Sequence, residues 1–154
     1  MYATVETVRG VSEEAIAKEA FVLADVERWD AKKHVERILG KVGDGDYIIA
    51  CWEPRQISPH HSHPDCTEIY LCLSGGGTMN VPGRSIDIIP GAFLVHPPGE
   101  LHEFVNGDGH SDSFRVRYGG PKTTRIKEWQ GNSEWKPTSE DIAYFEKYPR
   151  GEVI

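Results

Sequence analysis

The sequence has few cysteines, and Cys51, Cys66 and Cys72 are odd in number and show no CxxC spacing. That pattern argues against a disulfide framework and favours a reducing compartment. There is no apolar run near the roughly 20 residues a membrane helix requires. Met1 to Gly10 has neither the basic nor the apolar region of an export signal. A cytoplasmic protein without a membrane partner is therefore expected. Clustered Lys and Arg are also missing. The chain carries 17 basic against 24 acidic residues, a formal charge of −7. This argues against nucleic acid, because affinity for a phosphate backbone comes from clustered cations that release counterions. No internal repeat or low-complexity segment is evident.

What is present suits one domain. The 154 residues are of ordinary single-domain length, and 38% of them are apolar, enough to bury a core without a staple. Sixteen Gly and ten Pro imply frequent turns. Short runs with period-two alternation lie between those turns. Two strands are expected around Gly43-Asp44-Gly45-Asp46, from about His34 to Lys41 and from Tyr47 to Trp52. Further strands are read at Glu68–Leu73, Thr78–Val81, Ser85–Ile89, Ala92–His96, Glu103–Val105, Ser113–Tyr118 and Thr123–Trp129. Short helices are expected at Ser12–Ala20 and from Thr138 to about Glu146, each opened by a hydroxyl cap and acids. The fold class predicted is all-β, a sandwich or barrel with short terminal helices. We read residues 1–154 as a single domain, with a core at about 35–118 and an aromatic-rich tail at 121–154. The tail carries Trp129, Trp135, Tyr144, Phe145 and Tyr148, which need burial against the core or in a subunit interface.

Chemistry concentrates in His60-His61-Ser62-His63-Pro64-Asp65-Cys66-Thr67-Glu68. Histidines two apart on an extended chain point to the same face, so His61 and His63 aim together and His60 and Ser62 aim away. A turn over Pro64 to Thr67 brings the Glu68 carboxylate back, and His102, after a Pro-Gly turn, can close the set. Imidazoles and a carboxylate converging this way suit one divalent ion such as iron, manganese, zinc or nickel. Tyr70 and Cys72 share the parity of Glu68 and should face the interior, Tyr70 as a proton shuttle or a core aromatic. Phe104 shares the parity of His102 and would form an apolar wall. Arg115 and Arg117 are either solvated or, if their face looks inward, positioned to bind a substrate carboxylate. His60 and Asp65 are candidate partners that orient ligand imidazoles, and His110 is expected to be exposed.

These residues fall into two motifs that resemble those of the cupin superfamily. His61-x-His63, four residues, Glu68, six residues and Gly75 fit the first, and Arg55 stands where that motif has its leading glycine. Gly91, Pro97, Gly99, His102 and Asn106 fit the second throughout. The resemblance implies a double-stranded β-helix (jelly-roll) barrel, a metal within its mouth held by His61, His63, Glu68 and His102, and a homodimer. Four such ligands leave up to two positions open for water, oxygen or substrate, which favours catalysis over a structural ion. The leading functional reading is an iron(II)-dependent dioxygenase acting on a small oxygen-bearing acid or diketone-like molecule, with Glu68 and Tyr70 as catalytic groups. The alternatives are a redox-neutral isomerase, decarboxylase or lyase using Mn, Zn, Ni or Fe, and a non-catalytic metal-dependent binding module.

Overall fold

The computed structural model describes residues 20–131 and 135–152. The helix expected at Ser12–Ala20 lies outside them, except for Ala20, which precedes a short helix α1 (Leu23–Val26). Strands follow as β1 (Val35–Val42), β2 (Gly45–Trp52), β3 (His60–Ser62), β4 (Thr67–Ser74) and β5 (Gly77–Val81). Then come β6 (Arg84–Ile88), β7 (Phe93–His96), β8 (Glu103–Asn106), β9 (Ser111–Tyr118), β10 (Arg125–Glu128) and the helix α2 (Ser139–Lys147). No helix among the described residues is long and apolar enough to cross a membrane.

All strand pairs are antiparallel, and they form two facing layers of a jelly roll. One layer is the five-stranded sheet β1-β2-β9-β4-β7. The other is built from β6-β5-β8 and β10-β3, linked where His61 bridges His102. Val42 pairs Gly45 across Gly43-Asp44, so the expected Gly-Asp turn joins β1 to β2, with Gly43 left-handed at φ 57°.

Side-chain parity gives the five-stranded sheet a graded inner face. Cross-strand registers place Asp46, Arg117, Glu68 and His96 in one row. Ile48, Arg115, Tyr70 and Leu94 form the next, and Ala50, Ser113 and Cys72 the one after. The face thus runs from charged to apolar along its strands. At the apolar end Ala50, Trp52, Tyr70 and Cys72 pack on Met79, Ile88 and Phe104 of the facing layer. That interior cluster is the floor on which the polar rows sit.

The outer face of the same sheet is covered unevenly. Phe21, Leu23 and Val26 pack on Leu39, Tyr47, Ile49 and Cys51, shielding β1 and β2. Farther across, Phe93 and Val95 remain 63% and 52% exposed. The tail returns to the facing layer. Strand β10 pairs with β3, and Thr138 closes a capping box with Asp141 that starts α2. Phe145 is buried, whereas Trp129 and Trp135 lie at the mouth of a cavity described below. Beyond α2 the backbone of Glu152 runs against Gly99, where a Cβ would collide with its carbonyl.

Two turn positions account for motif residues. Gly75 is left-handed at φ 71° and lies against the backbone of His110 and Ser111, which leaves no room for a side chain. Arg55, in the place of the first motif's glycine, is left-handed at φ 64°, a conformation that favours glycine. A left-handed non-glycine residue costs about 1–2 kcal/mol, and the Arg55–Asp108 pair that the side chain gains is almost wholly exposed and worth little. Arg55→Gly is therefore expected to raise stability by up to about 1 kcal/mol after its greater unfolded-chain entropy. That corresponds to about 2–4 °C in Tm, read by thermal unfolding. An unchanged or lower Tm would show that the strain is offset locally.

Candidate metal centre

Three strands bring the histidines together. His61 and His102 face each other as a hydrogen-bonded backbone pair, N to O at 3.0 and 2.8 Å, so their rings stand side by side with centroids 4.3 Å apart. On the other side of β3, Ile126 pairs His61. His63 follows β3 directly, and its carbonyl accepts from Gly99 N at 2.8 Å, which ties the loop of the second motif to the first. One ring nitrogen from each of His61, His63 and His102 lies within 4.8 Å of the other two, and all three residues are buried.

The second nitrogen of each ring is occupied. His61 Nδ1 is 2.6 Å from the Pro59 carbonyl, and His102 Nδ1 is 2.9 Å from the Glu100 carbonyl. His63 Nδ1 is 3.3 Å from the Thr123 carbonyl and 3.2 Å from Thr124 Oγ1. A carbonyl only accepts, so the His61 and His102 rings carry their proton on Nδ1 and turn an Nε2 lone pair inward. Burial, with His63 close by, lowers the His61 pKa to about 3. Burial and the neighbouring His61 and His96 likewise hold His102 well below its ordinary value. Both rings are neutral near pH 7, the state a metal requires. The expectation that His60 and Asp65 orient the ligands is not met. His60 faces Glu128 at 3.5 Å, and the described partners of the ligand rings are backbone carbonyls and Thr124.

Glu68 lies at the edge of this cluster, its Oε2 2.6 Å from His63 Nε2 and its Oε1 3.9 Å from His102 Nε2. Burial alone would raise its pKa, but Arg115, His63 and His102 outweigh that and hold it well below the usual carboxylate range. The nearest guanidinium nitrogen of Arg115 is 3.5 Å from Glu68 Oε1. Glu68 Oε1 and His102 Nε2 are buried without a hydrogen-bond partner, and Glu68 Oε2 and His63 Nε2, also buried, have only each other. An unsatisfied buried polar group costs about 1–3 kcal/mol, so this cluster, with no partner from outside for its inward atoms, is costly to sustain alone. A divalent cation would satisfy them together, and the residues fit one.

The inward-facing arginines are now placed. Arg115 is buried and donates to Glu36 Oε1 at 2.7 Å and to the Tyr70 hydroxyl at 3.1 Å. Arg117 makes a two-pronged bond to Asp46 at 3.0 and 2.6 Å. Their face looks in, and the solvated alternative is set aside. Tyr70 is buried, and burial together with the Glu68 and Glu36 carboxylates keeps its pKa well above 10 despite Arg115. Tyr70, Arg115 and Arg117, with His61 and His63, line a cavity of about 490 Å³. Phe104 does not form its wall. It lies in the apolar floor, edge-on to Trp52 at 4.9 Å. Cys72 is in the same floor, and His110 is exposed, as expected.

The sequence reading missed His96. Its ring stacks on His102 at 4.1 Å with a 6° tilt, and Glu100 Oε1 lies 2.7 Å from its Nδ1. Its available signal was register, since β7 sets it opposite Glu68. Glu36, Trp129 and Trp135, which line the cavity, were missed as site residues because each arrives from outside the motifs.

The fold and site define a jelly roll with a three-histidine cluster in its mouth. A cupin-domain family model matches residues 42–112, and together with the jelly-roll fold this supports a protein of the cupin superfamily. No curated protein matches it. Among solved structures it is similar to a conserved double-stranded β-helix protein from Klebsiella pneumoniae, at 18% identity and TM-score 0.66, covering 72% of this chain and 98% of that one. It is also similar to the DMSP lyase DddQ from Ruegeria pomeroyi, at 20% identity and TM-score 0.58, covering 73% and 62%. An oxalate oxidase in complex with glycolate matches at 19% identity and TM-score 0.51, covering 55% and 46%.

His61→Ala and His102→Ala should each lower metal content well below one ion per chain while leaving the strand signal in circular dichroism intact. Full metal content in either variant would remove that residue from the ligand set.

Proposed function

We propose that the chain is an enzyme that uses one divalent metal ion, held by His61, His63, Glu68 and His102, to act on a small oxygen-bearing organic molecule. The observation that carries this reading is the convergence of buried Glu68, His63 and His102 atoms, with no partner from outside the cluster, beside an open cavity. When bound, the ion supplies Lewis-acid polarisation and, as iron(II), oxygen chemistry. The chain's own residues do the rest. The carbonyls of Pro59 and Glu100 hold His61 and His102 in one tautomer and orientation, and Thr123 and Thr124 back the His63 ring. Arg115 keeps Glu68 ionised, as a ligand or, when displaced, a base.

Iron(II)-dependent dioxygenase chemistry is the first finer reading, with manganese, zinc or nickel as other occupants. One observation favours a second, a redox-neutral isomerase, decarboxylase or lyase. Tyr70 keeps its proton in the site, and Arg115 donates to the same oxygen, which directs that proton away from the guanidinium. A phenol so placed is a proton donor to a substrate atom beside Glu68. The fold itself is shared with both an oxidase and a lyase.

Elemental analysis of protein purified without chelator, followed by a substrate panel with and without oxygen, separates these readings. Iron with oxygen uptake on substrate addition supports the dioxygenase. Turnover under strictly anaerobic conditions, lost about 100-fold or more in Tyr70→Phe, supports the redox-neutral enzyme. Saturable binding with no product across the panel would replace both with a non-catalytic binding module.

We also propose a homodimer in the cytoplasm. Three buried free thiols support the reducing compartment. The bare half of the outer sheet face, with Phe93 and Val95 exposed beside Leu71 and Ile69, supports a self-associating surface. Light scattering should find a dimer that Phe93→Asp converts to a monomer, and a monomeric wild type would remove this proposal.

A further inference from the structure

The cavity is larger than a small acid at the metal would fill. At about 490 Å³ it falls within the range of about 300–1,000 Å³ that suits ligands with a substantial body. Its inner end is the histidine cluster, and its outer wall comes from the tail. Ile126, opposite His61 on β10, begins that wall. Trp129 and Trp135 continue it, edge-to-face at 5.5 Å. Trp129 is fixed by an Nε1 bond of 2.8 Å to the Ile57 carbonyl, and Trp135 is half exposed at the rim. His34, which stacks flat on Trp52 at 4.1 Å, approaches Trp129 to 6.1 Å and closes the opposite side. Residues 121–131 and 135–152 lie outside the stretch matched by the cupin-domain model.

The polar groups facing the cavity are largely engaged with one another. Glu36 is bonded to Arg115 and His34, and Arg117 to Asp46. Lys33 and Asp30 at the rim carry one charge of each sign. What remains to grip a ligand is therefore a metal-binding end and an apolar, aromatic flank. From this juxtaposition we infer that Trp129 and Trp135 are specificity-determining residues, and that the substrate class is a molecule with a chelating oxygen group joined to a flat apolar or aromatic body. The inference rests on the metal reading above, which supplies the chelated end.

Two probes differing only in that body test it. Acetohydroxamate and benzohydroxamate present the same chelating group, one on a methyl and the other on a phenyl ring. Titrated into protein carrying one metal per chain and followed by tryptophan fluorescence and calorimetry, benzohydroxamate should bind at least about tenfold tighter, the effect of burying a ring. In Trp135→Ala the ratio should fall below about threefold, and Trp135→Phe should largely restore it. Equal affinities in the wild type, or a ratio undiminished in Trp135→Ala, would overturn the inference and leave the metal reading standing. Binding of neither probe to metal-loaded protein would overturn the inference at its chelating end. A protein that takes up no metal would overturn the reading under it, and the inference with it.

Discussion

Burial of the Glu68 carboxylate among imidazoles is the constraint on which the site depends. A charge removed from water is tolerated only with compensation, and here it comes from one side by Arg115 and would be completed by a cation held at the histidines. Arg115 is itself buried and leans on Glu36 and the Tyr70 hydroxyl. The polar rows of the five-stranded sheet are therefore one connected arrangement. Removing Arg115 would leave Glu68 under-compensated and also free Tyr70 and Glu36 from the positions they now share.

The gradient along the inner sheet face lets this polar arrangement coexist with a stable core. The charged row sits one residue pair from a mixed row and two from an apolar one. The charged mouth and the dry packing at the floor are thus separated by about four strand residues, roughly 14 Å at a rise near 3.4 Å per residue. Tyr70 stands at the boundary, its ring in the core cluster and its hydroxyl in the polar network. A buried tyrosine usually finds a partner for its hydroxyl in this way.

Much of this arrangement was legible in the sequence, for definite reasons. Period-two parity set Tyr70 and Cys72 beside Glu68 on one face, and His61 with His63 ahead of a turn, because local backbone geometry governs those placements. The turns at Gly43 and Gly75 followed from residues that tolerate a left-handed backbone. Parity did not settle Arg115 and Arg117, since Phe114 and Val116 on the opposite face are apolar enough to pass for a core-facing row. The partners of the ligand rings were invisible because backbone carbonyls leave no trace in residue identity. Trp129 and Trp135 read as packing or interface residues, and only the pairing of β10 with β3 carries them to the cavity. His96 went unnoticed for the same reason: its neighbour His102 is six positions away, and its opposite number Glu68 is on another strand.

The contact between Gly99 and Glu152 bears on the order in which the site comes into being during synthesis. His61 waits for His102 across β3 and β8, His63 leans on Thr123 and Thr124, and the loop between Pro97 and Glu100 is backed by the chain beyond α2. A nascent chain that has reached Asn106 already contains every proposed ligand but not the backing of two of them. The surroundings of His63 and of the 97–100 loop are thus complete only once Thr123, Thr124 and Glu152 have been added to the chain.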